Sequence, residues 1–395
     1  MNLNTLKRPD ILLMVMAAAV PLSFSVWMTL IDNFSINQAG FTGREIGILQ
    51  SLREIPGFMA FAVVFLLFLI KEQALAYSSL LLLGIGTILT GWFPSVIGLY
   101  LTTVLMSIGF HYYETMQTSL SLQWLDKDEA PHILGKIIAV SSFVSIIIYG
   151  LLALATRVWQ VDYVVIYSVG GGLTCLIALY CWWAFPHFPE KVVQHKKIVL
   201  RKRYWLYYAL VFMSGARRQI FVVFAGFMMV EKFGYGVAEI SSLFLVNAAL
   251  SMFLAPKIGR LIGHIGERRA LVFEYIGLII IFIAYAYVTD HRIAAGLYII
   301  DHIFFAMAIA IKTYFQKIAD PKDISSTAAV GFTINHIAAV GLPAALGLVW
   351  VYSHSLVFLI GAGMAVVSLA LAFLVPRHPS AGREVAFNQA SESSR

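Results

Sequence analysis

Apolar stretches long enough to cross a membrane recur along the whole chain, with short polar segments between them. A helix needs about 20 consecutive apolar residues to cross the hydrocarbon core of a bilayer. The pattern therefore predicts an all-α polytopic membrane protein with twelve transmembrane helices. The predicted spans are residues 10–33, 45–70, 75–94, 97–122, 136–157, 163–185, 205–230, 237–258, 270–289, 294–316, 327–351 and 355–376.

Composition and charge agree with this pattern. Hydrophobic residues make up 60% of the 395 residues, charged residues only 12%, and the mean hydropathy is +0.82. Such values exclude an ordinary soluble fold. If the N-terminus is cytoplasmic, the outer segments carry only four basic residues, namely Arg44, Arg157, Lys232 and Arg292. This asymmetry predicts a multi-pass protein of the inner (cytoplasmic) membrane with both termini cytoplasmic. It also explains the net charge of +7 without nucleic acid as a partner.

The longest polar segment divides the chain into two halves. Residues 1–185 and 205–376 are each predicted to form a six-helix bundle, joined by a basic cytoplasmic linker at 186–204. Residues 377–395 are polar and are predicted to form a disordered cytoplasmic tail.

The two halves also resemble each other in sequence. Three short motifs recur in the same order at a nearly constant offset, close to half the chain. Such internal similarity indicates a duplicated six-helix unit. Parallel repeats of this kind place a substrate site near the midplane, where the halves meet. The matching pairs are 40–46 with 234–240, 99–100 with 297–298, and 185–189 with 375–379.

The segment GRLIGHIGERR at residues 259–269 resembles the cytoplasmic loop signature G-x-L-x-D-x-x-G-x-R-R of the major facilitator superfamily. Gly263 replaces the usual aspartate, and the first-half loop around 70–74 lacks the glycines and arginines, so the loop's role as a conformational latch is expected to be weakened. Span five lacks the signature of the drug/proton antiporters. The resemblance implies a conformational loop built from Gly259, Arg260, Gly263, Gly266, Arg268 and Arg269.

Two adjacent arginines, Arg217 and Arg218, lie near the centre of an apolar stretch at 204–230. A charge at membrane depth costs at least ~2.5–3.5 kcal/mol, so such residues face a partner or a water-filled cavity. Neighbours on a helix point about 100° apart. We therefore expect one arginine to bind an anionic substrate and the other to brace the fold, with Arg218 slightly favoured for substrate.

Other charges lie inside the predicted spans. Glu114 and Lys312 occupy equivalent positions of opposite sign in the two halves and are predicted to face each other, although the long stem of Lys312 also allows it to snorkel to the surface. Arg53 and Glu54 either face different neighbours or form a structural brace. We expect Glu114, and after it Glu54, to exchange a proton during transport.

The candidate site residues fall into two sets. Glu274 and His336 are expected to be mainly structural, and the aromatic candidates are as often packing residues as ligands. The substrate-binding candidates are Arg217, Arg218, Arg53, Lys312, Tyr113 and Tyr208. The candidates for proton coupling or gating are Glu114, Glu54, Asp32, Asp301, His302 and His111.

These features predict a secondary active transporter that works by alternating access, coupled to protons, for a small organic anion or zwitterion. No catalytic or nucleotide-binding motif is present, so neither enzyme activity nor a cofactor or metal is predicted. The expected partners are the small-molecule substrate, protons and membrane lipid, with a monomeric protein. An efflux pump for amphipathic compounds is the alternative within transport, and a non-transporting receptor is the alternative outside it.

Overall fold

The computed structural model describes residues 7–59, 63–125, 130–189, 200–320 and 324–386. These residues are almost entirely helical. The helices are α1 (Pro9–Ala39), α2 (Gly43–Phe58), α3 (Val63–Leu66), α4 (Glu72–Trp92), α5 (Val96–Trp124), α6 (Ala130–Arg157), α7 (Tyr163–Ala184), α8 (Trp205–Gln219), α9 (Gly226–Glu231), α10 (Val237–Ile265), α11 (Glu267–Tyr287), α12 (His291–Phe305), α13 (Ile309–Ile318), α14 (Ile324–Tyr352) and α15 (His354–Leu374).

Eleven helical segments within the described residues are long and apolar enough to cross a membrane. This result makes the chain a multi-pass membrane protein. The predicted second span, 45–70, coincides with α2 and α3, between which residues 60–62 lie outside the described part. The total of twelve spans therefore stays a prediction.

Two of the spans change helix type near their middle. The span that begins at α8 continues through a π-helical segment, Ile220–Ala225, into α9. The span that begins at α12 continues through a 3₁₀ turn, Ala306–Ala308, into α13. A widened or tightened turn inside a long helix commonly marks a functional or strained site.

The chain forms two compact units. The first contains Met1–Thr42, Leu52–Gln194 and Tyr235–Leu245, and the second contains Gly43–Ser51, His195–Gly234 and Val246–Arg395. The main break falls inside the predicted linker. The sequence did not indicate that the first part of α2 and the first part of α10 belong to the unit of the opposite half.

In the first unit α4 packs between α5 and α7, and α1 packs against α6 and α7. Small residues permit these close approaches. A Cβ atom added at Gly86 would lie 2.5 Å from the backbone nitrogen of Met106, and one added at Gly84 would lie 2.5 Å from the Sγ atom of Cys175. Helices in lipid associate through such small residues because apolar burial gives little driving force there.

In the second unit α11 packs along α15, and α8 packs along α14. The α8–α14 contact is close at Gly215, where an added Cβ atom would lie 2.8 Å from the side-chain nitrogen of Asn335. This glycine lets a polar residue of α14 approach the arginines of α8.

Two glycines at equivalent positions of the predicted repeat share an unusual backbone conformation. Gly40 follows α1 with φ 65°, and Gly234 follows α9 with φ 68°. Only glycine adopts positive φ without steric cost, so it ends helices at such points. The repeated motifs therefore perform the same local task in both halves.

The predicted disordered tail needs correction over its first part. Within residues 377–386, Glu384 and Val385 are buried. The hydroxyl of Tyr314 on α13 donates a hydrogen bond to the carbonyl oxygen of Glu384 at 2.5 Å. This part of the tail is thus packed on the second unit, whereas residues 387–395 lie outside the described residues.

The predicted linker is described only at its two ends. At the first end, the backbone nitrogen of Phe188 donates to Oε1 of Gln73 at 2.9 Å. At the second end, Lys202–Tyr204 forms a 3₁₀ turn that leads into α8. Residues 190–199 of the linker lie outside the described part of the chain.

Candidate functional site

Arg217 lies near the end of α8 and is almost fully buried, with 4% of its surface exposed. Its Nη2 atom lies 3.6 Å from Oε1 of Glu274 on α11. Its guanidinium carbon also lies 4.4 Å from the centre of the Tyr275 ring. Burial of an arginine requires a paired carboxylate, because an isolated charge in an apolar interior is very costly. Arg217 therefore braces α8 against α11.

Arg217 and Glu274 form a buried charged cluster together with a second carboxylate, that of Asp301. Asp301 on α12 is 2% exposed and interacts electrostatically with Arg217 and Glu274. Within the described residues, Oδ2 of Asp301 and Oε2 of Glu274 have no hydrogen-bond partner. Two carboxylates beside one guanidinium carry one excess negative charge when all three groups are ionised. A proton bound by the cluster would relieve this imbalance.

Arg218 takes a different direction from the same helix. It is half-buried, and its Nη2 atom donates to Oδ1 of Asn335 on α14 at 3.0 Å. The two adjacent arginines thus contact different helices, as the rotation of about 100° per residue requires. The role of Arg218 in substrate binding stays a prediction.

The π-helical segment begins at Ile220, directly after α8 ends at Gln219. Both arginines therefore occupy the last α-helical turn before the helix widens. The aromatic ring of Phe221, inside the π segment, lies 4.8 Å from that of Tyr298 and 6.2 Å from that of His302, measured between ring centres. The π segment itself therefore contacts α12, the helix of Asp301.

The first unit contains a second charged cluster. Nη2 of Arg53 lies 2.5 Å from Oε1 of Glu54, its neighbour on α2, and both residues are buried. Nη1 of Arg53 donates to the sulfur of Met28 at 3.0 Å, and its guanidinium lies 5.9 Å from the Trp27 ring. The two residues thus pair with each other within α2, rather than each with a different helix, and their role in transport stays a prediction. Asp32 on α1 interacts electrostatically with Arg53.

The α5 candidates divide into exposed and buried residues. Nδ1 of the buried His111 lies 4.0 Å from Oε2 of Glu114, whose side chain is 49% exposed. Glu114 is accordingly not a buried charge within its unit. Tyr113 is 1% exposed, and its hydroxyl has no hydrogen-bond partner among the described residues. Tyr113 is therefore buried in this structure, and its role in substrate binding stays a prediction.

Three candidates of the second unit lie away from the arginine cluster or bind other groups. Lys312 is exposed on α13, and its predicted bridge to Glu114 stays a prediction. The hydroxyl of Tyr208 accepts a hydrogen bond from the backbone nitrogen of Arg201 at 3.3 Å, so it binds the end of the linker. Nε2 of His302 lies 3.0 Å from the hydroxyl of Ser251 on α10.

The predicted conformational loop is shorter than the sequence indicated. Helix α10 continues to Ile265, so Gly259, Arg260 and Gly263 are helical rather than part of a loop. Gly266 alone connects α10 to α11, with φ 81°. Arg268 and Arg269 lie in the first turn of α11.

Sequence reasoning gave too little weight to the partners of the arginines. Glu274 was expected to be structural, and that prediction agrees with its bond to Arg217, but the contact itself was not foreseen. Asn335, the hydrogen-bond partner of Arg218, was noted only as a polar residue at membrane depth, without a role of its own. A polar residue in an otherwise apolar span was the available signal, since such residues are costly at membrane depth.

The sequence model of the Major Facilitator Superfamily matches residues 11–343 of the chain. The chain belongs to this superfamily. The resemblance drawn from residues 259–269 and from the organisation of the spans is thereby confirmed, and the chain is a member of a family of membrane transporters.

Solved structures support the same fold. The nucleoside transporter NupG is 14% identical, with a TM-score of 0.75 over 94% of this chain and 98% of that chain. A bacterial homologue of the human lysosomal transporter Spinster, in an inward-facing and occupied conformation, is also 14% identical. Its TM-score is 0.74 over 92% of this chain and 95% of that chain. At this level of identity the likeness shows the fold alone. No curated protein matches the chain.

Proposed function

We propose that this chain is a secondary active transporter that works by alternating access, is coupled to protons, and carries a small organic anion or zwitterion. Membership of the superfamily and the likeness to solved transporters support transport in general. The substrate class and the coupling are argued from the charged residues of the second unit.

The observation that carries the substrate class is the different use of Arg217 and Arg218. Arg217 is buried against Glu274 at 3.6 Å, so its charge serves the fold. Arg218 is half-buried, and its Nη2 atom donates to the neutral amide of Asn335 at 3.0 Å. Its guanidinium is a planar fork of N–H donors, a shape that matches the oxygens of a carboxylate or phosphate. This geometry favours an anionic group on the substrate.

The proposal for proton coupling rests on Asp301. Its carboxylate is buried beside a guanidinium that Glu274 already neutralises. A substrate anion or a shift of Arg217 would change the electrostatic balance at Asp301, and a proton would then bind or leave. Such a link between substrate charge and proton occupancy is the physical basis of coupled transport. Glu114 stays a second candidate for the same role.

The substrate class is tested with Arg218→Lys. The purified protein is first screened by thermal shift against carboxylates, phosphates, nucleosides and hydrophobic cations, and the stabilising compound is then used for binding. Lysine keeps the charge but loses the fork, so an anionic substrate should bind roughly 10-fold more weakly. The matched control is Arg157→Lys, an exposed arginine at the end of α6.

Three outcomes would overturn the anion proposal. Normal binding and transport by Arg218→Lys would remove the arginine from the site. Stabilisation by hydrophobic cations alone would favour the efflux alternative. Stabilisation by nucleosides alone would indicate a neutral polar substrate, of the class that the nucleoside transporter NupG is named for.

Coupling is tested in proteoliposomes with an imposed pH gradient. Asp301→Asn should abolish accumulation driven by the gradient while exchange of labelled for unlabelled substrate continues, because asparagine cannot carry a proton. Asp162→Asn is the control, since Asp162 is exposed before α7 and its side chain makes no capping bond. Unchanged accumulation in Asp301→Asn combined with its loss in Glu114→Gln would transfer the coupling role to Glu114. Unchanged accumulation in both variants would rule out both residues.

A further inference from the structure

A cavity of about 760 Å³ opens in the second unit where α10 ends, α11 begins and the chain leaves α15. It is separate from the arginine cluster of α8. Its lining runs from Gly263 through the first turns of α11 and includes the residues that follow α15. This region contains the superfamily signature, but none of the transport steps proposed above uses it.

The polar side of this cavity carries an excess of positive charge. Arg268, Arg269 and Arg377 all line it. Glu267 is the single carboxylate among the described lining residues, and it is already bound to Lys317 at 2.6 Å. Three guanidiniums therefore lie around one space without a carboxylate of the lining to neutralise them. Such a cluster attracts an anion with several oxygens, such as a phosphodiester.

The other side of the cavity is apolar and faces outward. Phe273 and Ile276 on α11 and Phe373 on α15 line it, and they are 57%, 46% and 48% exposed. Both helices are candidate membrane spans. The guanidinium carbon of Arg268 lies 5.8 Å from the centre of the Phe373 ring, so the charged and apolar sides adjoin. A ligand that fits both sides has an anionic head and an apolar tail.

Gly263 explains why this site is more basic than the signature alone would suggest. The superfamily signature has an aspartate at this position, and here the residue has no side chain. Gly263 lines the cavity, and a Cβ atom added to it would meet no atom within 4 Å. An aspartate would therefore fit without strain and would add a second carboxylate to the lining, beside Glu267.

We propose that this cavity binds an anionic phospholipid of the surrounding bilayer, with its phosphate against Arg268, Arg269 and Arg377 and its acyl chains along Phe273, Ile276 and Phe373. Basic pockets between transmembrane helices bind the headgroups of such lipids. A soluble anion would use the arginines equally well but would gain nothing from the exposed apolar side. The apolar side is thus the reason to favour a lipid.

The test uses the full-length protein, stripped of lipid in detergent. Phosphatidylglycerol, cardiolipin, phosphatidylcholine and soluble glycerol phosphate are added separately, and bound lipid is counted by native mass spectrometry while the unfolding temperature is followed. Phosphatidylglycerol and cardiolipin should bind and raise the unfolding temperature, and phosphatidylcholine should do neither. In Arg268→Gln/Arg269→Gln the affinity should fall by about 5-fold for each charge removed.

Gly263 provides a matched pair of variants. Gly263→Asp should weaken binding of phosphatidylglycerol because its carboxylate competes with the lipid phosphate, whereas the neutral Gly263→Asn, of nearly equal size, should bind as the parent protein does. Equal loss in both variants would show a steric effect and overturn the electrostatic argument. Binding by the double glutamine variant at parental affinity, or equal stabilisation by soluble glycerol phosphate, would also overturn the proposal.

Discussion

The Arg53–Glu54 pair of the first unit and the Arg217–Glu274 pair of the second unit both place an arginine and a carboxylate away from water, but by different means. Glu54 is the next residue after Arg53 on one helix, whereas Glu274 lies on α11 and Arg217 on α8. Neighbouring residues of a helix do not naturally face each other. The first pair therefore needs surrounding residues to turn the two side chains together.

The surroundings of Arg53 supply that constraint. Trp27 and Met28 on α1 contact its guanidinium, and the hydroxyl of Ser107 on α5 donates to its backbone oxygen. In the second unit the pair itself joins the helices. The comparison teaches that a buried ion pair can be either a product of packing or a cause of it. Substitutions should distinguish the two cases.

The largest expected effect comes from Arg217→Leu. It leaves Glu274 and Asp301 buried without their shared cation, and removing one partner of a buried pair typically costs about 3–5 kcal/mol. The free energy of unfolding, followed by thermal denaturation in detergent, should fall accordingly. Arg217→Leu/Glu274→Leu should recover part of the loss, because only Asp301 then remains buried without its cation.

The same experiment can contradict the comparison. If the double variant is as unstable as Arg217→Leu, the unpaired Glu274 is not the source of the loss, and the Arg217–Glu274 pair does not stabilise the α8–α11 contact. If Arg217→Leu unfolds like the parent protein, the Arg217–Glu274 contact does not hold the two helices together.

A smaller effect is expected from Arg53→Lys. Lysine can keep the bond to Glu54, but its single ammonium cannot also contact Met28 and stack over Trp27, so unfolding should require about 1 kcal/mol less. The thermal assay measures this difference directly. A loss as large as that of Arg217→Leu would mean that the first pair also causes its packing, and the distinction between the two clusters would disappear.

The smallest effect concerns Asp290, a carboxylate outside the spans that serves as a reference for both clusters. The backbone N–H groups of Ile293 and Arg292 donate to it at the start of α12 and lower its pKa from the ordinary value of 3.8. The ionised form is thus the one that favours folding. Its stabilisation is complete above pH 3.8 and is lost as the pH falls through the lower pKa of the folded protein.

Asp290→Ala should therefore lower the unfolding temperature by a constant, small amount at neutral and mildly acidic pH. The difference from the parent protein should shrink as the pH falls below about 4. A difference that does not change with pH would mean that the cap acts through the shape of the side chain and not through its charge.

Much of the fold could be predicted from the sequence because each membrane span is a long apolar run with polar ends. The predicted span at 10–33 became α1, and Gly40 and Gly234 end their segments alike. The predicted ends of the helices were less accurate. Helix α10 runs through the predicted loop to Ile265, because Gly263 adopts an ordinary helical φ and only Gly266 takes the positive φ that ends the helix.

The candidate site was harder to predict. That Arg217 and Arg218 contact different helices could be predicted from their adjacency, because neighbouring residues of a helix point about 100° apart. Their partners, Glu274 and Asn335, depend on how each span is turned about its axis. A helix that is apolar all round gives no hydrophobic face from which to read that rotation. For the same reason the sequence did not indicate that Tyr113 is buried.

The π segment at Ile220–Ala225 sets the register of its whole span. Before it, Arg217 and Arg218 bind α11 and α14; after it, Glu231 accepts a hydrogen bond from the indole of Trp350 at 2.7 Å. A π turn holds about one residue more than an α turn. Loss of a single residue here would restore a plain α-helix and rotate everything beyond it by about 100°. The extra residue of the π segment therefore lets the side chains on both sides of it, Arg217 and Arg218 before and Glu231 after, face their partners at the same time.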